Sequence, residues 1–145
     1  MRFFGRLTSI VILFCILIPS STVFASDQKD PKRILVIVGN HKGQAVVRFT
    51  ETGIQEILKA NHDYRIEQYV EYLDLNRVSD KQYKRQLAAI LAHKYAGRSI
   101  DVIISVLPNG LDFLLEYGDE IFSDIPIVFS VVSEINLKRM KLSPN

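Results

Sequence analysis

The stretch from Ile100 to Val132 most constrains what this chain can fold into. Ile100, Val102, Ile103, Ile104 and Val106 form a β-branched run broken only by Asp101 and Ser105. A run that apolar suits a strand covered on both faces, as in a parallel sheet. The segment PNGLDFLLEYGDEIF follows, with apolar residues returning at helical spacing. Leu111, Leu114 and Leu115 are expected on one face, and Asp112, Glu116 and Asp119 on the other. Asn109 reads as the N-cap and Gly118 as the C-cap. IPIVFSVV then makes a second apolar strand with Pro126 at its start, where a missing N–H costs little. Strand, helix and strand in this space form a βαβ unit, which crosses over right-handed. The turn Leu107–Gly110 therefore belongs at the carboxyl end of a parallel sheet, the usual ligand edge.

The chain upstream supplies the rest of such a sheet. RILVIV at 33–38 is a short apolar strand, ending in the loop Gly39-Asn40-His41-Lys42-Gly43. From Gln44 to Ala60, Val46, Val47, Phe49, Ile54, Ile57 and Leu58 recur near a 3.6-residue period. Asn61-His62-Asp63 closes that helix, and Tyr64–Val70 alternates weakly, as suits an edge strand. Ser79 and Gln82 match a capping box for a second helix. That helix should turn Tyr83, Leu87, Ile90, Leu91 and Tyr95 inward and end at Gly97. The order β-α-β-α-β-α-β implies an α/β fold around a doubly wound parallel sheet. With the second strand at the edge, the expected strand order is 2-1-3-4, flavodoxin-like. Its switch point lies between strands one and three, faced by Gly39–Gly43 and Leu107–Gly110 and flanked by Tyr72–Asn76 and Ser133-Glu134.

The first 25 residues read as a secretory signal. Arg2 and Arg6 form a basic start, Ile10–Ile18 an unbroken apolar core, and Val23-Phe24-Ala25 a small-residue exit. Nine apolar residues are short for a bilayer span, so cleavage and a periplasmic or otherwise extracytoplasmic location are expected. The alternative is an inner-membrane anchor through the same segment. Residues 26–32 form a linker, 33–134 the α/β lobe and 135–145 the start of a crossover. Removing Arg2 and Arg6 leaves 16 basic and 16 acidic residues, and that balance argues against nucleic acid as a partner. The one cysteine, Cys15, falls inside the leader, so a disulfide in the mature part is not expected.

Catalytic patterns are sparse. G-N-H-K-G is neither a dinucleotide fingerprint nor a phosphate loop, and its glycines read as serving a tight βα turn. His41 is the histidine best placed for chemistry, but no nucleophile or orienting carboxylate adjoins it in sequence. His62 and His93 read as surface or cap residues, and no spacing suggests a metal site. Asp74 invites comparison with a receiver phospho-acceptor, but Gly39-Asn40 stand where such a site needs an acidic pair. Asp101 begins its strand, at the wrong end of the sheet. No enzyme, cofactor or metal is therefore expected.

Two passages carry a resemblance: VEYLDLNRVSDKQY, and LAHKYAGRSIDVIISVLPNGLDFLLEYGDEIFSDIPIVFS. Tyr72-Leu73-Asp74, the Tyr95–Asp101 lead into a strand, and the Phe113–Phe129 passage are similar to the ABC-transporter substrate-binding family of type I periplasmic binding proteins. They resemble still more the version used as the extracytoplasmic sensor of membrane histidine kinases and diguanylate cyclases. The resemblance covers about residues 33 to 133. It implies one lobe of a two-lobed receptor that binds an unidentified small organic ligand and does no chemistry on it. Its partners would be a membrane permease or a transducing domain. The alternative function is the N-terminal sensor portion of a kinase or cyclase. Family members carry a second lobe after this point, which is expected from a longer chain or from a partner. The ligand-binding candidates are Asn40, His41, Tyr72, Asp74, Pro108, Asn109, Ser133 and Glu134.

Overall fold

A computed structural model describes residues 30–139. The expected signal peptide, most of the expected 26–32 linker and the end of the expected crossover segment lie outside the described residues. Eight elements follow in order: β1 (Lys32–Val38), α1 (Ala45–Ala60), β2 (Ile66–Tyr72), α2 (Lys81–Tyr95), β3 (Val102–Val106), α3 (Pro108–Ile121), β4 (Ile127–Ser130) and α4 (Glu134–Arg139). The four strands form one sheet in the order β2-β1-β3-β4. Every pair is parallel. The expected class and strand order both hold.

The core is organised by β1, which is buried from Ile34 to Val38. Its alternate residues serve two separate cores. Leu35 and Ile37 join Ile103 beneath α2 and α3, packed with Leu91, Tyr95, Phe113 and Leu114. Ile34, Val36 and Val38 face the other way and meet Val47 of α1. Right-handed crossovers explain the split. The chain moves one way from β1 to β2 and the opposite way through β3 and β4, so α1 lies alone on its face. Val128, in register with Ile104 on that face, is 56% exposed.

Several local expectations are corrected. Asp80, not Ser79, caps α2, its Oδ1 accepting from Tyr83 N at 3.0 Å. Ile90 is exposed because it stands two residues, about 200°, round the helix from buried Ala88. Gly97 does take the left-handed conformation, with φ 73°, just past the end of α2. In α3 the N-cap is Leu107, because Pro108 fits the first turn and the Asn109 side chain is engaged elsewhere. Gly118 does not stop the helix; it is buried within it, and Phe122 N–H closes on Gly118 O at 2.7 Å. Leu115 is exposed and Phe113 fully buried, since the inward arc centres on Gly110, Leu114 and Tyr117. On α1, Phe49 and Ile57 are exposed although they share its apolar period.

At the amino edge of the sheet, Asp101 ties the start of β1. Its Oδ2 accepts from Arg33 N at 2.8 Å, and its Oδ1 from Lys32 Nζ at 3.1 Å. The backbone hydrogen bond, then the lysine, hold its carboxyl below the ordinary carboxylate range. A carboxylate whose folded value is lowered adds stability that is full above its unfolded value, near 4, and is lost as pH falls through the folded one. Asp101→Asn should therefore lower the urea midpoint at neutral pH and flatten its fall below pH 4 or so. An acid limb identical to that of the parent would show that the latch adds no stability.

Candidate functional site

The carboxyl edge of the sheet gathers the loops after β1, β2 and β3. Main-chain bonds first bring them together. Gly39 N donates to Val106 O at 3.1 Å, Leu73 N to Val38 O at 2.9 Å and Leu75 N to Gly39 O at 2.8 Å. Gly39 then lies against the first turn of α3 so closely that a Cβ there would fall 2.3 Å from Gly110 N. Gly110 answers from the other side, where a Cβ would sit 3.1 Å from Gly39 N and 3.2 Å from Ser105 Oγ. The glycines of this turn are thus spent on backbone contact with a neighbouring loop. Ser105 Oγ below them is buried with no hydrogen-bond partner among the described residues.

Side chains complete the seam. Asn109 Nδ2 donates to Asn40 Oδ1 at 3.1 Å, and Asn40 Nδ2 donates to Gln44 Oε1 at 2.8 Å. His41 N donates to Asn76 Oδ1 at 3.1 Å, and its Nδ1 lies 3.1 Å from Asn76 Nδ2. Asp74 Oδ1 is 4.0 Å from His41 Nδ1. Arg77 grips the same carboxylate with both Nε at 2.7 Å and Nη2 at 2.6 Å. That fork holds the Asp74 carboxyl below, and the Arg77 guanidinium above, their ordinary ranges. Asn40, His41, Asp74 and Asn109 are therefore brought into one half-exposed cluster with Asn76 and Arg77. Pro108 forms the first turn of α3 beside it.

The other candidates stand apart. Tyr72 turns toward the α1 core and donates its hydroxyl to Glu51, with Lys42 Nζ 5.7 Å from its ring centre. Burial, then the Glu51 bond, pushes its phenol up to about 12. Ser133 accepts from Asn136 Nδ2 at 2.9 Å, and Glu134 pairs with Lys138 at 2.9 Å, so both engage the first turns of α4. Sequence reasoning missed Gln44 and Arg77, whose partners lie four residues along one turn and three along another; nothing in their spacing marks them.

Strain concentrates at the same edge. Among the described residues four non-glycines have positive φ, and three of them follow strands here: Asp74 at 55°, Leu107 at 74° and Val131 at 60°. Leu107 pairs that φ with ψ 155°, a region almost reserved for glycine, and Val131 is β-branched. Such residues cost on the order of 1–3 kcal/mol each and persist where the surroundings hold them.

The cluster offers amide donors and acceptors, one imidazole and a carboxylate already neutralised by arginine. That set can recognise a polar molecule through hydrogen bonds. Among the described residues no group of three or more His, Cys, Asp or Glu could hold a metal ion. None of their helices is long and apolar enough to cross a membrane. Three surface clefts lie away from this edge, between α2 and α3, beside Tyr64, and around Arg98, with volumes of about 480, 510 and 410 Å³. The first is walled by the flanks of α2 and α3, the second by the end of α1 and the start of β2, and the third by β1, β2 and residues 97–99. In comparisons with known proteins, no family model, curated protein or solved structure matches the chain.

Proposed function

We propose that this chain is an extracytoplasmic small-molecule-binding lobe of solute-receptor type, exported by its leader and performing no chemistry on its ligand. The observation that carries the reading is the amide seam at the carboxyl edge. Asn40–Asn109 and His41–Asn76 tie three loops through polar side chains, with Asn40, His41 and Asn109 half-exposed and Asn76 exposed. Ligands of parallel α/β sheets sit at this edge, beside the switch point between β1 and β3. The resemblance of residues 33–133 to substrate-binding lobes points the same way.

The exported protein, with its N-terminus confirmed at Ser26, should show saturable binding in ligand-observed NMR. The screen would cover amino acids, purines and small organic acids. Asn109→Leu should abolish the signal while far-UV circular dichroism stays unchanged, and the ligand should be recovered chemically intact. Binding indifferent to Asn109→Leu and Asn76→Leu would remove the site from this edge. Conversion of the ligand would replace the binding reading with an enzymatic one.

A further inference from the structure

The cleft at the amino edge of the sheet holds two arginines that the fold fixes without consuming their outer donors. Arg33 alternates along β1 with Leu35 and Ile37, so it continues their face one step past the core. Glu67 stands in register with it on β2, and Arg33 Nε donates to Glu67 Oε2 at 3.1 Å. Tyr69, two residues on, packs against the larger core and meets the Tyr95 ring edge-on at 6.0 Å. Arg98 follows the left-handed Gly97 past the end of α2. Its guanidinium carbon lies 5.9 Å from the centre of the Tyr69 ring, and its Nε donates to Lys94 O at 3.1 Å. Arg33, Glu67, Tyr69, Arg98 and Ser99 thus line one cleft of about 410 Å³.

We infer that this cleft binds a small oxyanion, a phosphate or a carboxylate, between the guanidinium groups of Arg33 and Arg98. In both arginines Nε is the nitrogen engaged, and the two terminal nitrogens have no hydrogen-bond partner among the described residues. That terminal pair is an edge of the planar fork that matches two oxygens of a carboxylate or phosphate. Holding each side chain by its Nε also removes much of the rotamer freedom that binding would otherwise have to freeze. The Ser99 hydroxyl, exposed on the same wall, adds a further donor. Charge favours an anion. Arg65 Nη2 lies 3.3 Å from Glu67 Oε1, so Glu67 is already flanked by two guanidinium groups, and the Arg98 charge is left over. Asp101, bonded to Arg33 N, is taken by Lys32. The site is separate from the amide cluster, which lies at the opposite end of β1.

The test uses protein expressed from Met1, purified as the cell leaves it, in a buffer free of phosphate and carboxylates. Calorimetry with inorganic phosphate in one arm and succinate in the other should show saturable binding in at least one. Saturation by phosphate alone assigns a phosphoryl ligand, and by succinate alone a carboxylate. Arg98→Gln should raise the Kd about tenfold or more, the change of a lost charge-assisted bond, with the thermal midpoint unaltered because Arg98 is exposed. Arg98→Lys keeps the charge but loses the fork, and should bind little better than Arg98→Gln. Arg33→Gln should weaken binding as well, with far-UV circular dichroism checking the fold. No saturation by either anion up to about 10 mM overturns the proposal. So does binding that ignores Arg98→Gln, or binding that Arg98→Lys retains in full, which marks an adventitious ion drawn by positive charge only. Loss of the anion on Asn109→Leu, with none on Arg98→Gln, would move it to the carboxyl edge and overturn this site while leaving the proposed function standing.

Discussion

Ile103→Ala should lower the stability of the lobe by about 2–5 kcal/mol, the range for emptying a buried aliphatic site. Ile103 is fully buried on the central strand β3, in register with Leu35 on one side and Ile127 on the other. It belongs to the larger of the two cores, beneath α2 and α3. Removing it leaves a cavity that packed neighbours on two layers fill only in part. A loss of this size is a large share of a small domain's total stability. Ile104 provides the internal comparison. It is the next residue on the same strand, but it faces the side that α1 covers alone and remains half-exposed. Ile104→Ala should therefore cost clearly less, and denaturant melts of the two variants measure the difference. Equal losses would mean that the α1 face is as well packed as the other.

Gly39→Ala should be the most damaging glycine substitution in the lobe. The new Cβ would stand 2.3 Å from Gly110 N and 2.9 Å from the Asn109 carbonyl carbon, both backbone atoms that cannot swing aside. Relief requires moving the start of α3 away from the β1 loop. Overpacking of this kind costs about 1–3 kcal/mol, sometimes more. The movement also separates Asn40 from Asn109, so ligand binding should fall by more than the loss of fold accounts for. Gly110→Ala meets its nearest backbone neighbours at 3.1 and 3.2 Å and should be milder. A thermal midpoint for Gly39→Ala equal to that of the parent, or above that of Gly110→Ala, would show that the close approach is absent in solution.

These two positions mark how far the sequence alone could be read. Ile103 announced itself: a β-branched run too apolar for a one-sided strand belongs at the centre of a parallel sheet. The alternation of strands and helices, and the weak pattern around Tyr64–Val70, were enough for the strand order, because burial in each element leaves a period in its own residues. Gly39 was legible only as a turn glycine, and its requirement for a neighbour's backbone was not. Asn109 reads in sequence as a cap for its own helix, yet it binds Asn40, 69 residues away. Ser79 lost the capping role to its neighbour Asp80, and Leu115 its place in the core to Phe113, differences of one or two positions that pattern matching does not resolve.

The sequence by itself determined that this chain builds a parallel, doubly wound α/β lobe, and which strand ends carry its loops. That information is local, written as hydrophobic period, β-branching and turn residues within a few positions of one another. Only the tertiary structure decided which loop side chains meet, that Asp74 is held by Arg77 beside His41, and that strain gathers at Asp74, Leu107 and Val131. It also decided that α1 presents Phe49 and Ile57 to solvent instead of to the sheet. Such contacts depend on the direction of each crossover and the register of each strand pair, which bring together residues whose separation along the chain carries no trace of their meeting.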